Sequence, residues 1–266
     1  MHTKNGSNNS LIMFFGLTYL ISWIIWVPLI TFAPHATYLH QLGGMGPLIA
    51  ALIMTYILQG KKELWRFMRA MLSFKLPWLL CGFLTPFLLF FISAAIATTM
   101  GSSPAQFSLL FTSQEYPRIG IVYWIVSIIC YGFGEQVGWR GFALPHLMKN
   151  GMSAFKASTL LSVVWAFWHL PLFWYSGSSY MQMNIWMILG WYISLLLSSY
   201  LLTWLYLTSG RSVVTVALFH AAIDITLISQ AAGTQVVQIM STLLMLLGVV
   251  VVLFSGKSLK GRSTRA

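Results

Sequence analysis

The sequence predicts an all-α, polytopic integral membrane protein of about eight transmembrane helices, and three observations carry that prediction. Charged residues make up 7% of the 266 positions and apolar ones 58%, whereas a soluble domain has about 25% charged residues. The apolar residues fall in runs close to the roughly 20 residues that a bilayer-crossing helix needs. Lys and Arg gather in connections at alternate ends of those runs, as in a chain whose basic loops stay in the cytoplasm.

Residues 1–10 are polar. The run 11–33 is too long for a signal-peptide core and lacks a small-x-small cleavage site, so it reads as a retained first span. A second span, 42–59, opens with Gly43, Gly44, Gly46 and Pro47. Between 60 and 76, Lys61, Lys62, Arg66, Arg69 and Lys75 alternate with Leu64, Trp65, Phe67 and Met68, the pattern of a short helix lying on the membrane surface. The third span is 77–99, followed by a Ser/Thr/Gln/Pro-rich loop at 100–118. The fourth is 119–136, followed by a mixed connection at 141–156. Spans at 157–175, 184–208, 212–230 and 236–255 complete the set, with a basic cytoplasmic tail at 256–266. With no internal repeat and no soluble segment of domain size, 1–266 is expected to be a single membrane domain.

Eight spans with the N-terminus inside place every one of the 15 Lys and Arg residues except Arg118 in the cytoplasm. The expected location is therefore a cell membrane, with both termini cytoplasmic. The same distribution accounts for the net charge of +11 and argues against nucleic acid as a partner, since no basic face is formed. Cys81 and Cys130 lie in apolar spans without metal-ligand spacing and read as inert.

The chain has four acidic residues: Glu63, Glu115, Glu135 and Asp224. The first two lie in polar connections, whereas Glu135 and Asp224 lie in or at the end of apolar runs. An ionisable group in hydrocarbon costs several kcal/mol unless it faces a wet or paired interior, which makes these two functional candidates. His169 falls in the fifth span. His220 and Asp224, at i and i+4, share one face of the seventh. On these boundaries, at about 1.5 Å of rise per residue, Glu135 lies near the cytoplasmic edge and the other three deeper, in a cavity open to the cytoplasm. A carboxylate beside two imidazoles supplies the parts of a hydrolytic site: a general base for water and groups that hold a metal ion or donate to an oxyanion. Gln136 and Arg140, also at i and i+4, are expected to pair with each other. The loop histidines His2, His35, His40 and His146 are not expected to be ligands, and the many aromatic residues are expected to serve packing and the interface belt.

Three motifs stand in order: Glu135-Gln136-Val137-Gly138-Trp139-Arg140, Trp165-Ala166-Phe167-Trp168-His169 and His220-Ala221-Ala222-Ile223-Asp224. Together they resemble the CPBP family of intramembrane proteases, which includes the type II CAAX prenyl endopeptidases and the bacteriocin-processing and immunity (Abi) proteins. The resemblance covers about 119–230. It implies an endopeptidase in which Glu135 and His169 activate water, while His220 and Asp224 stabilise the oxyanion or complete a metal site. If the chemistry is metal-dependent, His169, His220 and Asp224 would hold a divalent ion such as zinc. The implied partners are the lipid bilayer and a peptide or membrane-anchored protein substrate, with a role in maturation or bacteriocin immunity. Two departures stand out: the family usually has a second glutamate where this chain has Gln136, and Phe where it has Trp165. Gln136 motivates an alternative, a non-enzymatic immunity or binding protein derived from such a protease. A proton-coupled transporter is a third reading, disfavoured by the lack of an inverted repeat.

Overall fold

The computed structural model describes residues 4–32, 37–116, 119–175, 179–255 and 259. Among them there is no strand, only an isolated bridge between Ser113 and Ser229. The helices are α1 (Lys4–Phe32), α2 (Gly46–Met71), α3 (Leu76–Thr99), α4 (122–149), α5 (Ala154–Trp168), α6 (Ile185–Thr208), α7 (Val213–Ile228) and α8 (Thr234–Phe254). Short 3-10 turns at Thr37–Met45, Phe107–Phe111, Leu170–Trp174 and Ser179–Gln182 lie between them. Among the described residues, six helical stretches are long and apolar enough to cross a bilayer: Asn9–Phe32, Leu39–Met71, Leu76–Thr99, Ala154–Trp174, Ile185–Thr208 and Thr234–Phe254. The all-α polytopic expectation therefore holds. Of the two remaining segments, α7 is apolar but shorter, and α4 is irregular.

Local chemistry sets the boundaries. α2 and α3 begin with Pro47 and Pro77 in their first turns, where the missing N–H is not needed. Ser153, Asn184 and Ser212 cap α5, α6 and α7 by accepting from backbone N–H groups of the first turn. Gly60, at φ +80°, kinks α2 and redirects 61–71, so the expected basic amphipathic segment is helical and leaves the direction of the span.

The largest difference from the sequence expectation is in α4. Helix continues through 137–149 instead of ending near 136 in a polar connection, and two stretches, Ser127–Phe133 and Val137–Ala143, are π-helical. Such i→i+5 turns recur at functional sites. The middle of α4, residues 134–140, runs through the interior. A Cβ placed on Gly132 would meet the Ala217 carbonyl oxygen of α7 at 2.6 Å, and one on Gly138 would meet Pro47 of α2 at 2.4 Å. Glycine is what lets the two neighbours approach.

The ends of the bundle differ in chemistry. At one end lie Lys61, Lys62, Arg66, Arg69, Lys75, Lys149, Lys156 and Arg211, drawn together where Ser212 donates to the Ser73 carbonyl and where Phe67 and Val213 approach Gly141. At the other end, 112–116 pairs with 228–230 through Gln114 N–H to Ile228 C=O and Gln230 N–H to Thr112 C=O. Arg118 and most of the basic tail lie outside the described residues.

Candidate active site

Four helices supply the site. α4 carries Glu135, Gln136 and Arg140, the C-terminal end of α5 carries Trp165 and His169, α6 carries Ser199, and α7 carries His220 and Asp224. Glu135, His169, His220 and Asp224 all line one cavity of about 340 Å³. The side chains of Glu135, Gln136, Arg140 and His169 are buried.

The hydrogen bonds assign a part to each nitrogen. His169 Nδ1 lies 2.8 Å from the Trp165 carbonyl. A carbonyl only accepts, so Nδ1 carries the proton and Nε2 keeps its lone pair. Gln136 Nε2 lies 2.9 Å from His220 Nδ1, and with the amide donating, the His220 proton sits on Nε2. That atom is 3.7 Å from Asp224 Oδ2, close enough to feel the carboxylate but too far for a hydrogen bond. Glu135 Oε2 accepts the indole N–H of Trp165 at 2.7 Å.

Arg140 does not pair with Gln136. Its Nη2 donates to Ser199 Oγ at 3.1 Å and to the Ser199 carbonyl at 3.3 Å, and its guanidinium carbon lies 5.1 Å from the centre of the Trp165 ring. Both residues flank or lie in the second π-helical stretch, where i+5, not i+4, follows the backbone hydrogen bonds. Gln136 is thereby free for His220, and its Oε1 is left without a partner, as are Arg140 Nε and Nη1.

Residues outside the motifs, together with Trp168 of the second one, complete the cavity. Trp26, His40, Glu115, Tyr131, Trp168, Leu172, Tyr180, Trp191 and Ile228 all contribute to its wall. His40, expected to be an idle loop histidine, has Nε2 2.9 Å from the Tyr131 hydroxyl and 3.3 Å from that of Tyr116. Burial, reinforced by Glu115, pushes the Tyr116 hydroxyl well above the ordinary tyrosine range, so it stays protonated. The aromatic residues expected to serve packing alone are also cavity walls. In the sequence, Tyr131 at four residues before Glu135 was the one available pointer to them.

The position of the cavity corrects the expected depth of Glu135. Glu135 lies midway along α4, level with the other site groups, and not at the basic edge. The connections that contribute to the wall, through His40, Glu115, Leu172 and Tyr180, belong to the end opposite the basic residues. The expected ion also lacks a fit: among the described residues no group of three or more His, Cys, Asp or Glu side chains is placed to hold a metal. His169, His220 and Asp224 do not form such a set in this arrangement.

Fold and site define a multi-pass membrane protein with a polar chamber, lined by carboxylates and imidazoles, inside its helix bundle. Residues 117–226 match the family model described as "Type II CAAX prenyl endopeptidase Rce1-like". Over 263 residues, 92% of this chain and 94% of the other, the sequence is 26% identical to a protein named CAAX prenyl protease 2 from Methanococcus maripaludis. Both comparisons liken the chain to the CPBP/CAAX protease family.

Proposed function

We propose that the protein is an intramembrane endopeptidase that hydrolyses a peptide bond in a peptide or membrane-anchored protein segment, with Glu135 as the general base. The observation that carries this reading is the convergence of Glu135, His169, His220 and Asp224, from three separate helices, on one cavity. In a dry bundle each of these groups would be costly. Gathered around a cavity they can hold water and substrate.

The tautomers supply complementary roles. Glu135 takes a proton from the attacking water. His169, with its lone pair on Nε2, accepts a second hydrogen bond from the same water and aligns it. His220, with its proton on Nε2, donates to the oxyanion that forms on the scissile carbonyl, and the nearby Asp224 carboxylate steadies the polarised imidazole. Glu135 then delivers its proton to the leaving amine. The peptide C–N bond breaks, water supplies O–H to the acyl fragment, and the proton taken from water ends on the amine. Arg140, held by Ser199 and the Trp165 ring, orders the inner end of the site.

The orientation proposed is the basic end in the cytoplasm. With the contributing connections at the opposite end, the substrate reaches the cavity from the outer half of the membrane, which favours maturation of secreted or membrane peptides over a cytoplasmic substrate. The direct test incubates purified protein in detergent with lipidated and unlipidated hydrophobic peptides and reads the products by mass spectrometry. Cleavage that is lost in Glu135→Gln supports the reading. Absence of cleavage by the wild type, with restoration by Gln136→Glu, supports the alternative of a disarmed relative that works by binding.

A further inference from the structure

Trp165 touches four of the polar groups of the site: Glu135, Arg140, His220 and His169. Its indole N–H donates to Glu135 Oε2 at 2.7 Å, and Arg140 lies over its face at 5.1 Å. Its ring meets that of His220 edge-on at 5.6 Å and 83°. Its own carbonyl accepts from His169 Nδ1 at 2.8 Å. The residue is buried, and with Glu135 and His220 it also lines the cavity.

Resting on the reading of Glu135 as the base, we propose that Trp165 is a positioning residue: its N–H fixes the Glu135 carboxylate so that one oxygen is tied down and the other is presented to water. Glutamate has three side-chain torsions, and a base must reach its water within about 2.6–3.2 Å. Burial alone does not select one rotamer of a carboxylate. A charged hydrogen bond from a rigid ring does, and the ring is itself held on its face by Arg140. A phenyl ring keeps an aromatic face for Arg140 and an edge for His220 but has no N–H to offer. The indole nitrogen therefore separates positioning from packing.

The test compares wild type with Trp165→Phe and with a variant carrying benzothienylalanine at 165, which keeps the indole shape and replaces N–H by sulfur. Loss of a hydrogen bond to a charged group lowers kcat roughly 10- to 100-fold in both variants, with KM changed less than about twofold. The acid limb of the rate profile moves to higher pH, because the carboxylate loses a donor that favours its ionised form. Infrared difference spectra against Glu135→Gln isolate the Glu135 carboxyl band, since the chain holds only Glu63 and Glu115 as other glutamates. That band shifts in both Trp165 variants. The proposal is overturned if kcat, the acid limb and the band all match wild type in the benzothienyl variant. A band shift in a protein whose wild type cleaves nothing supports the Trp165–Glu135 contact and defeats the protease reading instead.

Discussion

Gly132→Ala tests whether close packing of α4 on α7 aligns the site. The added methyl would lie 2.6 Å from the Ala217 carbonyl oxygen, 3.2 Å from its carbon and 3.2 Å from Ala221 Cβ. The nearest neighbour is backbone, so no side chain can swing away. Reaching ordinary contact requires the helices to separate by about 0.8 Å, and overpacking of this kind costs about 1–3 kcal/mol. At about 2–4 °C per kcal/mol for a chain of this size, melting in detergent falls on the order of 5 °C. The same separation pulls Gln136 from His220, whose 2.9 Å bond joins the two helices, and a misplacement near 1 Å costs roughly 100-fold in rate. The assay pairs a thermal melt with peptide cleavage. Gly190→Ala on α6 is the control, because nothing lies within 4 Å of its added methyl. A Gly132→Ala protein that melts and cleaves like wild type refutes the packing argument.

Further predictions concern single groups. Gln136→Ala should lower kcat by about 10-fold by freeing His220 Nδ1, whereas Gln136→Glu, whose carboxylate would hold the imidazole doubly protonated and so keep the Nε2 proton, should retain activity; kinetics of the two variants decide this. Ser199→Ala removes the hydroxyl that bonds Arg140 Nη2 and should destabilise the fold by about 1–3 kcal/mol, since the guanidinium is fully buried, as read by thermal melting. In a background lacking Cys81 and Cys130, a single cysteine at Glu115 should react with a membrane-impermeant thiol reagent in intact cells, and one at Arg66 only after permeabilisation. The reverse pattern would overturn the proposed orientation.

Much of the molecule was legible in the sequence because the membrane imposes simple rules. Runs at 77–99, 184–208 and 236–255 differ from α3, α6 and α8 by one or two residues, and the scarcity of acids pointed straight to Glu135 and Asp224. The failure at α4 has a physical cause. Hydropathy marks where apolar residues stop, and the stretch after Glu135 carries Gly138, Arg140 and Gly141 and so reads as a connection. In the protein those residues are interior: glycine admits Pro47, and the arginine is satisfied by Ser199 and Trp165. The widened π-helical register also cannot be read from an i, i+4 rule, which is why Gln136 was paired with Arg140 and not with His220. His40 and Tyr131 were missed because their meeting is a long-range event between the turn before α2 and the middle of α4.

The most direct test of the central claim is cleavage of a peptide library by wild type beside Glu135→Gln, both shown to be folded by the same melt. The account predicts products from wild type and at least a 100-fold loss in the variant, the scale of a missing general base. Equal cleavage by the two proteins would contradict it, because the carboxylate around which the cavity is built would then take no part in activating water.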